Sequence, residues 1–250
     1  MRAGNILSGS YVHCLKRGGR GSPIVLDKSD QWRFIRSLYY LNDEFFDDNW
    51  DQPYLTTNNN KLINKKEKFL FYRPPEWPEQ KPLVKILCYI LMPNHVHLLV
   101  KEVQKNGISF FMKKLGQSMT NHFNFKYQTR GSIFQGRYKG KAVDDDEYLK
   151  YLAVYIMVKN AFDLYPGGLN EAFKNYNQAW KFALDYPFSS LKNYATNKQS
   201  LIVDKDLLGQ IFKSTVDFNN FSKEAIKFMA LIKNQDEDED SLLKIVKLNF

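Results

Sequence analysis

The chain has 250 residues, 44% of them hydrophobic and 15% aromatic, enough for one folded core or a core with an appendage, which excludes wholesale disorder. Its apolar runs, Ile86–Met92 among them, are far short of the roughly 20 residues of a spanning helix, and the N-terminus lacks a secretory apolar region, so no membrane is expected and the chain is read as cytoplasmic. Cys14 and Cys88 are the only cysteines and neither has a CxxC neighbour, which argues against a zinc knuckle or a disulfide framework. The formal net charge is +9, and between Lys101 and Lys141 nine Lys and Arg face Glu102 alone. That segment is an electrostatic footprint for a polyanion, with a solvated helix face and loop as the alternative.

In chain order, Tyr11–Leu15 reads as a first strand that carries His13, most simply a strand histidine of no special role, with a place beside the strand of His95 and His97 as the alternative. Arg17–Pro23 follows as a glycine-rich turn, which lacks the GxxxxGK[ST] order of a phosphate loop. Asp27 or Ser29 can cap a helix whose stripe is Trp32, Ile35, Leu38 and Tyr39. Residues 42–82, with Asn58–Asn60 and prolines 74, 75, 78 and 82, predict a long connection or insertion with one short apolar element, Phe69–Tyr72.

Two apolar segments then meet at Pro93-Asn94, the pattern of a strand, a tight break and a second strand. Strand alternation puts His95 and His97 on one face, roughly 7 Å apart along the backbone. Two imidazoles so held can share one metal ion; two half-buried, hydrogen-bonded strand histidines are the alternative. Beyond them, Ile108, Met112, Leu115, Met119 and Phe123 recur at helical spacing, opposite Lys113 and Lys114. Ile133–Lys139 alternates, which predicts an exposed strand or hairpin that presents Gln135, Arg137 and Lys139. Asp144–Glu147 suit a helix start, with Leu149, Leu152, Ala153 and Ile156 as its buried stripe and Tyr148, Tyr151 and Tyr155 riding on it. Trp180–Tyr194 forms an aromatic closing segment. After about residue 198 the pattern turns helical and ends in the acidic run Asp236–Asp240, read as a solvated linker.

Taken in order, Met92-Pro-Asn-His95-Val-His97-Leu-Leu-Val100, the basic helix, Phe134-Gln-Gly-Arg-Tyr-Lys139, Asp145-Asp-Glu-Tyr-Leu149, Tyr155-Ile156 and Tyr186-Pro-Phe-Ser-Ser190 resemble the HUH single-tyrosine transposases, in particular the branch of REP-associated tyrosine transposases. The resemblance spans roughly residues 10–195. It implies an α+β fold, with a central antiparallel sheet of ferredoxin or RRM type and helices packed on it. To this the sequence adds a flexible lead-in at 1–9, a domain over 10–198 and a helical, acidic C-terminal appendage over 199–250. The implied activity is cleavage and rejoining of single-stranded or hairpin-bearing DNA through a covalent 5′-phosphotyrosine, by a nucleoid-associated enzyme that is usually a homodimer. Its implied nucleophile is Tyr155, its implied metal ligands are His95 and His97, and its implied cofactor is Mg2+ or Mn2+. Helical spacing alone does not choose among the three tyrosines; the resemblance does.

One position departs from the pattern. The family commonly has Gln or Asn four residues after the tyrosine as a third metal ligand, whereas here that position is Lys159 and Asn160 follows it. A π-bulge absorbs one extra residue and would bring Asn160 to the metal; without a bulge, Lys159 would stand there. The expected phosphate contacts are Lys113, Lys114, Arg130, Arg137 and Lys139, with Gln135 at a base. The competing expectation is a noncatalytic single-stranded nucleic-acid-binding protein that uses the same sheet and basic face.

Overall fold

The computed structural model describes residues 9–51, 71 and 73–233. Residues 1–8 of the lead-in, the Asn58–Asn60 tract, all of the Phe69–Tyr72 element but Phe71, and the acidic run Asp236–Asp240 lie outside the described residues.

The elements run β1 (Tyr11–Arg17), α1 (Lys28–Tyr40), β2 (Val84–Leu91), β3 (His95–Glu102), α2 (Gly107–Tyr127) and β4 (Lys139–Val143). This is a βαββαβ succession, and the strands pair antiparallel in the order β2-β3-β1-β4, which is the ferredoxin-type sheet that the resemblance implies. Strand alternation splits the core into two layers. Val96, Leu98 and Val100 of β3, with Val12 and Cys14 of β1, pack under α1 and α2 against Phe34, Leu38, Phe111 and Leu115. The opposite face, which carries His95, His97 and Leu99, is covered by the chain that follows β4. Both cysteines are buried and unbridged.

That covering chain begins with α3 (Asp146–Val154), passes through a π-helical turn (Tyr155–Lys159) and continues as α4 (Asn160–Asp163). Asp145 caps α3 by accepting from the Tyr148 N–H. After α5 (Gly168–Lys174), α6 (Tyr176–Asp185) and α7 (Leu191–Ala195), the appendage supplies α8 (Asp206–Ile211) and α9 (Thr215–Lys233). Leu208, Phe212, Phe218, Ile226 and Met229 from these last helices share one core with Tyr155, Leu152 and Ile156. Asp206 ties α8 to the sheet: Tyr11 Oη donates to it at 2.5 Å and the Lys85 and Lys101 ammonium groups each at 2.9 Å.

The edges of a sheet expose unpaired backbone groups. Here the Tyr186–Ser190 motif lies along β2: Leu91 N–H donates to the Phe188 carbonyl at 2.9 Å, and Ser190 Oγ accepts from Tyr89 N–H at 2.9 Å. Further along the same edge, Asp204 N–H donates to the Ile86 carbonyl at 3.0 Å. β4 forms the other edge.

One predicted element is displaced. Residues 133–138 form a loop, and the strand starts only at Lys139. Gly136 sits at φ 137°, a backbone conformation that side chains rarely adopt, and this breaks the extended run. The loop makes a single bridge, Phe134 to Gly18, and is otherwise pinned by side chains: Phe134 is buried under the Lys16 ammonium, which donates to the Gly136 carbonyl at 3.0 Å. Smaller differences concern the helix stripes, since Phe34 joins Ile35 and Leu38 in the core whereas Trp32, Tyr39 and Phe123 are only partly covered.

The start of α1 also anchors the end of α2. Asp27 and Asp30 form a capping box, so Asp27 is the cap. Burial alone would raise the Asp30 carboxyl, but hydrogen bonds from Lys126, the Leu26 N–H, Tyr127 and His122 hold it down to about 2. A carboxylate lowered by folding adds stability that is complete above its unfolded value and is lost as pH falls through the folded one. Urea midpoints are therefore expected to fall more steeply between about pH 4 and pH 2 in the parent than in Asp30→Asn. Equal slopes would remove Asp30 from the acid response.

Candidate active site

Three rings meet in the layer between the sheet and the covering helix. His95 and His97 rings lie edge to face with centroids 4.9 Å apart, and His97 meets Tyr155 edge to face at 5.7 Å. His97 is fully buried and Tyr155 is 1% exposed. The structure therefore brings together the histidine pair and the tyrosine singled out from the sequence, within one chain. Tyr148 and Tyr151 lie elsewhere: Tyr148 is buried beneath the Lys141 ammonium, and Tyr151 packs on Phe221 and Phe228 of α9.

The π turn resolves the offset between Tyr155 and Asn160. Asn160 N–H donates to the Tyr155 carbonyl, an i to i+5 bond that absorbs one residue, so Lys159 and Asn160 flank the tyrosine one turn on. The Lys159 ammonium is directed to Asp163, donating to Oδ2 at 2.8 Å, and lies 5.2 Å from the Tyr155 ring centroid. Asn160 is 2% exposed, and its side-chain Nδ2 has no hydrogen-bond partner among the described residues. If Lys159 is the inserted residue, its deletion is expected to close the turn into a regular α-helix and leave Asn160 in place. Circular dichroism, melting temperature and Mn2+ titration check this: a folded protein with parent-like affinity is expected, and loss of affinity in a folded deletion variant would contradict it.

Each histidine of the hairpin has a hydrogen-bond partner at Nδ1. His95 Nδ1 lies 2.6 Å from Asn94 Oδ1, and the Asn94 amide is oriented by Nδ2 donating to the Gly21 carbonyl at 3.3 Å. The carbonyl oxygen only accepts, so His95 donates from Nδ1 and its lone pair is on Nε2. His97 Nδ1 lies 2.8 Å from His13 Nε2. Burial, reinforced by His13, His95, Lys159 and Arg17, pushes His97 well below the ordinary histidine value and keeps it neutral.

These residues fit a divalent cation. Metal-bound histidines hydrogen-bond through the nitrogen that does not coordinate, as both do here. A buried amide with one unpartnered end supplies an oxygen after a simple flip, since the two ends are assigned from their surroundings. Among the described residues no group of three or more His, Cys, Asp and Glu forms a complete cage, so Asn160, substrate oxygens and water would have to complete the shell.

The basic residues divide into two groups. Lys139 and Lys141 of β4 pair with Leu15 and His13 of β1, which places them on the histidine face of the sheet. Arg17 pairs with His95, and the loop bearing Gln135 is bonded to that end of β1 through the Arg17 carbonyl at 3.0 Å. Arg130, Gln135, Arg137, Lys139 and Lys141 are exposed. Lys113 is also exposed, but α2 lies behind the sheet from Tyr155. Lys114 is already used: its ammonium donates to the Asp43 carbonyl at 2.6 Å and sits over Phe46. Sequence reading did not assign Lys141 or His13 to the site. Lys141 follows Lys139 by two in the alternation, which was the available signal.

The fold and the arrangement of rings define an α+β protein with a histidine hairpin facing a helix-borne tyrosine on one sheet face. Residues 56–159, which hold the histidine pair and Tyr155, match the model of the family described as Transposase IS200 like, in keeping with the resemblance over that stretch. No curated protein matches. Among solved structures, the chain described as "Structure of the REP associates tyrosine transposase bound to a REP hairpin" is similar at 13% identity, over 83% of this chain and 92% of its own, with a TM-score of 0.42. No helix among the described residues is long and apolar enough to cross a membrane.

Proposed function

We propose that the protein is a metal-dependent, transposase-like DNA transesterase that cleaves and rejoins single-stranded or hairpin-bearing DNA through Tyr155. The observation that carries this reading is the packing of the Tyr155 ring against His97, 5.7 Å away, with His95 beside it on the same sheet face. The family match over residues 56–159 supports it.

The chemistry follows from the groups present. Tyr155 Oη gives up its proton as it attacks the scissile phosphorus, the bond to the 3′ oxygen breaks, and that oxygen takes up one proton and leaves as a 3′-hydroxyl, so no proton is gained or lost overall. The 5′-phosphate remains esterified to the tyrosine, so the bond energy is kept for rejoining and no nucleotide triphosphate is needed. A divalent cation, Mg2+ or Mn2+, held by His95, His97 and Asn160 would draw charge from the scissile phosphate and orient it. Tyr155 is 1% exposed, so the phosphodiester reaches it only once the groups over the site part. Arg130, Arg137, Lys139 and Lys141 hold the strand by its phosphates and Gln135 reaches a base, with Lys113 left for more distant phosphates. Two copies of the chain are expected to act together, as the family resemblance implies.

Incubation with labelled hairpin-bearing oligonucleotides and Mg2+ or Mn2+ tests the reading. A protein–DNA adduct that survives denaturation is expected; binding without an adduct identifies a noncatalytic binder, and cutting without an adduct identifies a hydrolase. Affinity should also fall with salt, with a log–log slope of about −3 to −4 for four or five phosphate contacts on a single strand. A slope near zero would remove the basic rim from the interface.

A further inference from the structure

We propose that His13 is a positioning residue for His97, fixing the tautomer in which the His97 lone pair is on Nε2. The inference rests on the metal-site reading above and adds to it a residue that coordinates nothing. His13 and His97 are 84 positions apart in sequence, and the β1–β3 register makes them diagonal neighbours on one face, with Leu15 opposite His97 and Leu99 opposite His13. Their rings are nearly parallel, 13° apart in plane, with centroids at 5.1 Å. Both side chains are buried.

Two ring nitrogens 2.8 Å apart hold one proton between them. If His97 donates from Nδ1, His13 Nε2 accepts and the His97 lone pair is on Nε2. If His13 donates instead, a neutral His97 must carry its proton on Nε2, and the nitrogen left for a cation is blocked. The direction of one hydrogen bond therefore decides whether His97 is a ligand. Asn94 performs the same task for His95 with a carbonyl, which only accepts. His13 completes the set, so that both histidines of the hairpin present the same nitrogen.

The test reads tautomers directly. Two-bond proton–nitrogen spectra of 15N-histidine-labelled, metal-free protein are expected to show His97 protonated at Nδ1 in the parent. His13→Phe fills the space without an acceptor and is expected to move His97 toward the Nε2–H form, with Mn2+ affinity about 10–100-fold weaker by calorimetry. His13→Gln, whose side-chain oxygen accepts at similar reach, is expected to restore both readouts. His97 protonated at Nε2 in the parent overturns the proposal, as does parent-like Mn2+ binding by folded His13→Phe. Should His13→Phe not fold, the parent tautomer and the His13→Gln affinity still decide. If Mn2+ binding also survives His97→Ala, the metal-site reading itself falls; if His97→Ala abolishes binding while His13→Phe does not, only the role of His13 falls.

Discussion

Tyr155→Phe is expected to abolish the covalent adduct and to lower strand cleavage by about 10^4-fold or more, the scale on which enzymes lose activity when their nucleophile is removed. The substitution keeps the ring that packs against His97 and deletes only one hydroxyl, so stability should change by no more than about 1 kcal/mol. The control variants are Tyr148→Phe and Tyr151→Phe. Both tyrosines ride on the same helix, but Tyr148 lies under Lys141 and Tyr151 against Phe221 and Phe228, so each variant should still form the adduct. Gel mobility after denaturation measures all three. An adduct in Tyr155→Phe would move the nucleophile elsewhere.

His97→Ala is expected to weaken Mn2+ binding by more than about 100-fold, a larger loss than outer-shell substitutions usually cause. The reason is the small donor set: with only two imidazoles and one amide from the protein, losing one removes a third of it. Two imidazole donors also favour Mn2+ over Mg2+, since nitrogen donors suit the later metals. Mn2+ should therefore bind more tightly than Mg2+ to the parent, and that preference should shrink in the variant. Melting curves establish that the variant is folded, and calorimetry gives the affinities. A loss below about tenfold in folded protein would remove His97 from the ligand set.

Elements whose order depends on local pattern were legible in the sequence. β1, the hairpin around Pro93-Asn94, α2 and the start of α3 follow from alternation, helical spacing and caps, and each is present where expected. The Ile133–Lys139 alternation misled because buried Phe134 and exposed Gln135 and Arg137 imitate a strand, although Gly136 and the Lys16 clamp make a loop. Lys113 and Lys114 look alike in sequence, yet only the long connection reveals that Lys114 is tied to Asp43. His13 was legible as a strand histidine that could lie beside the His95/His97 strand, but its contact with His97 was not, because that is set by the register of β1 on β3. The apolar faces of α8 and α9 announce that they need a partner without naming it; the partner is the core around Tyr155. The π turn was foreseen only because the family spacing exposed one extra residue between Tyr155 and Asn160.

Mapping the bond between protein and DNA tests the central reading most directly. The adduct formed on a hairpin oligonucleotide with Mn2+ would be digested with trypsin and nuclease and read by mass spectrometry. The expected product is the peptide Tyr151–Lys159 carrying a nucleotide by its 5′-phosphate, with fragment ions that place it on Tyr155 rather than Tyr151. A nucleotide on any other residue, or linkage through a 3′-phosphate, would contradict the proposed chemistry.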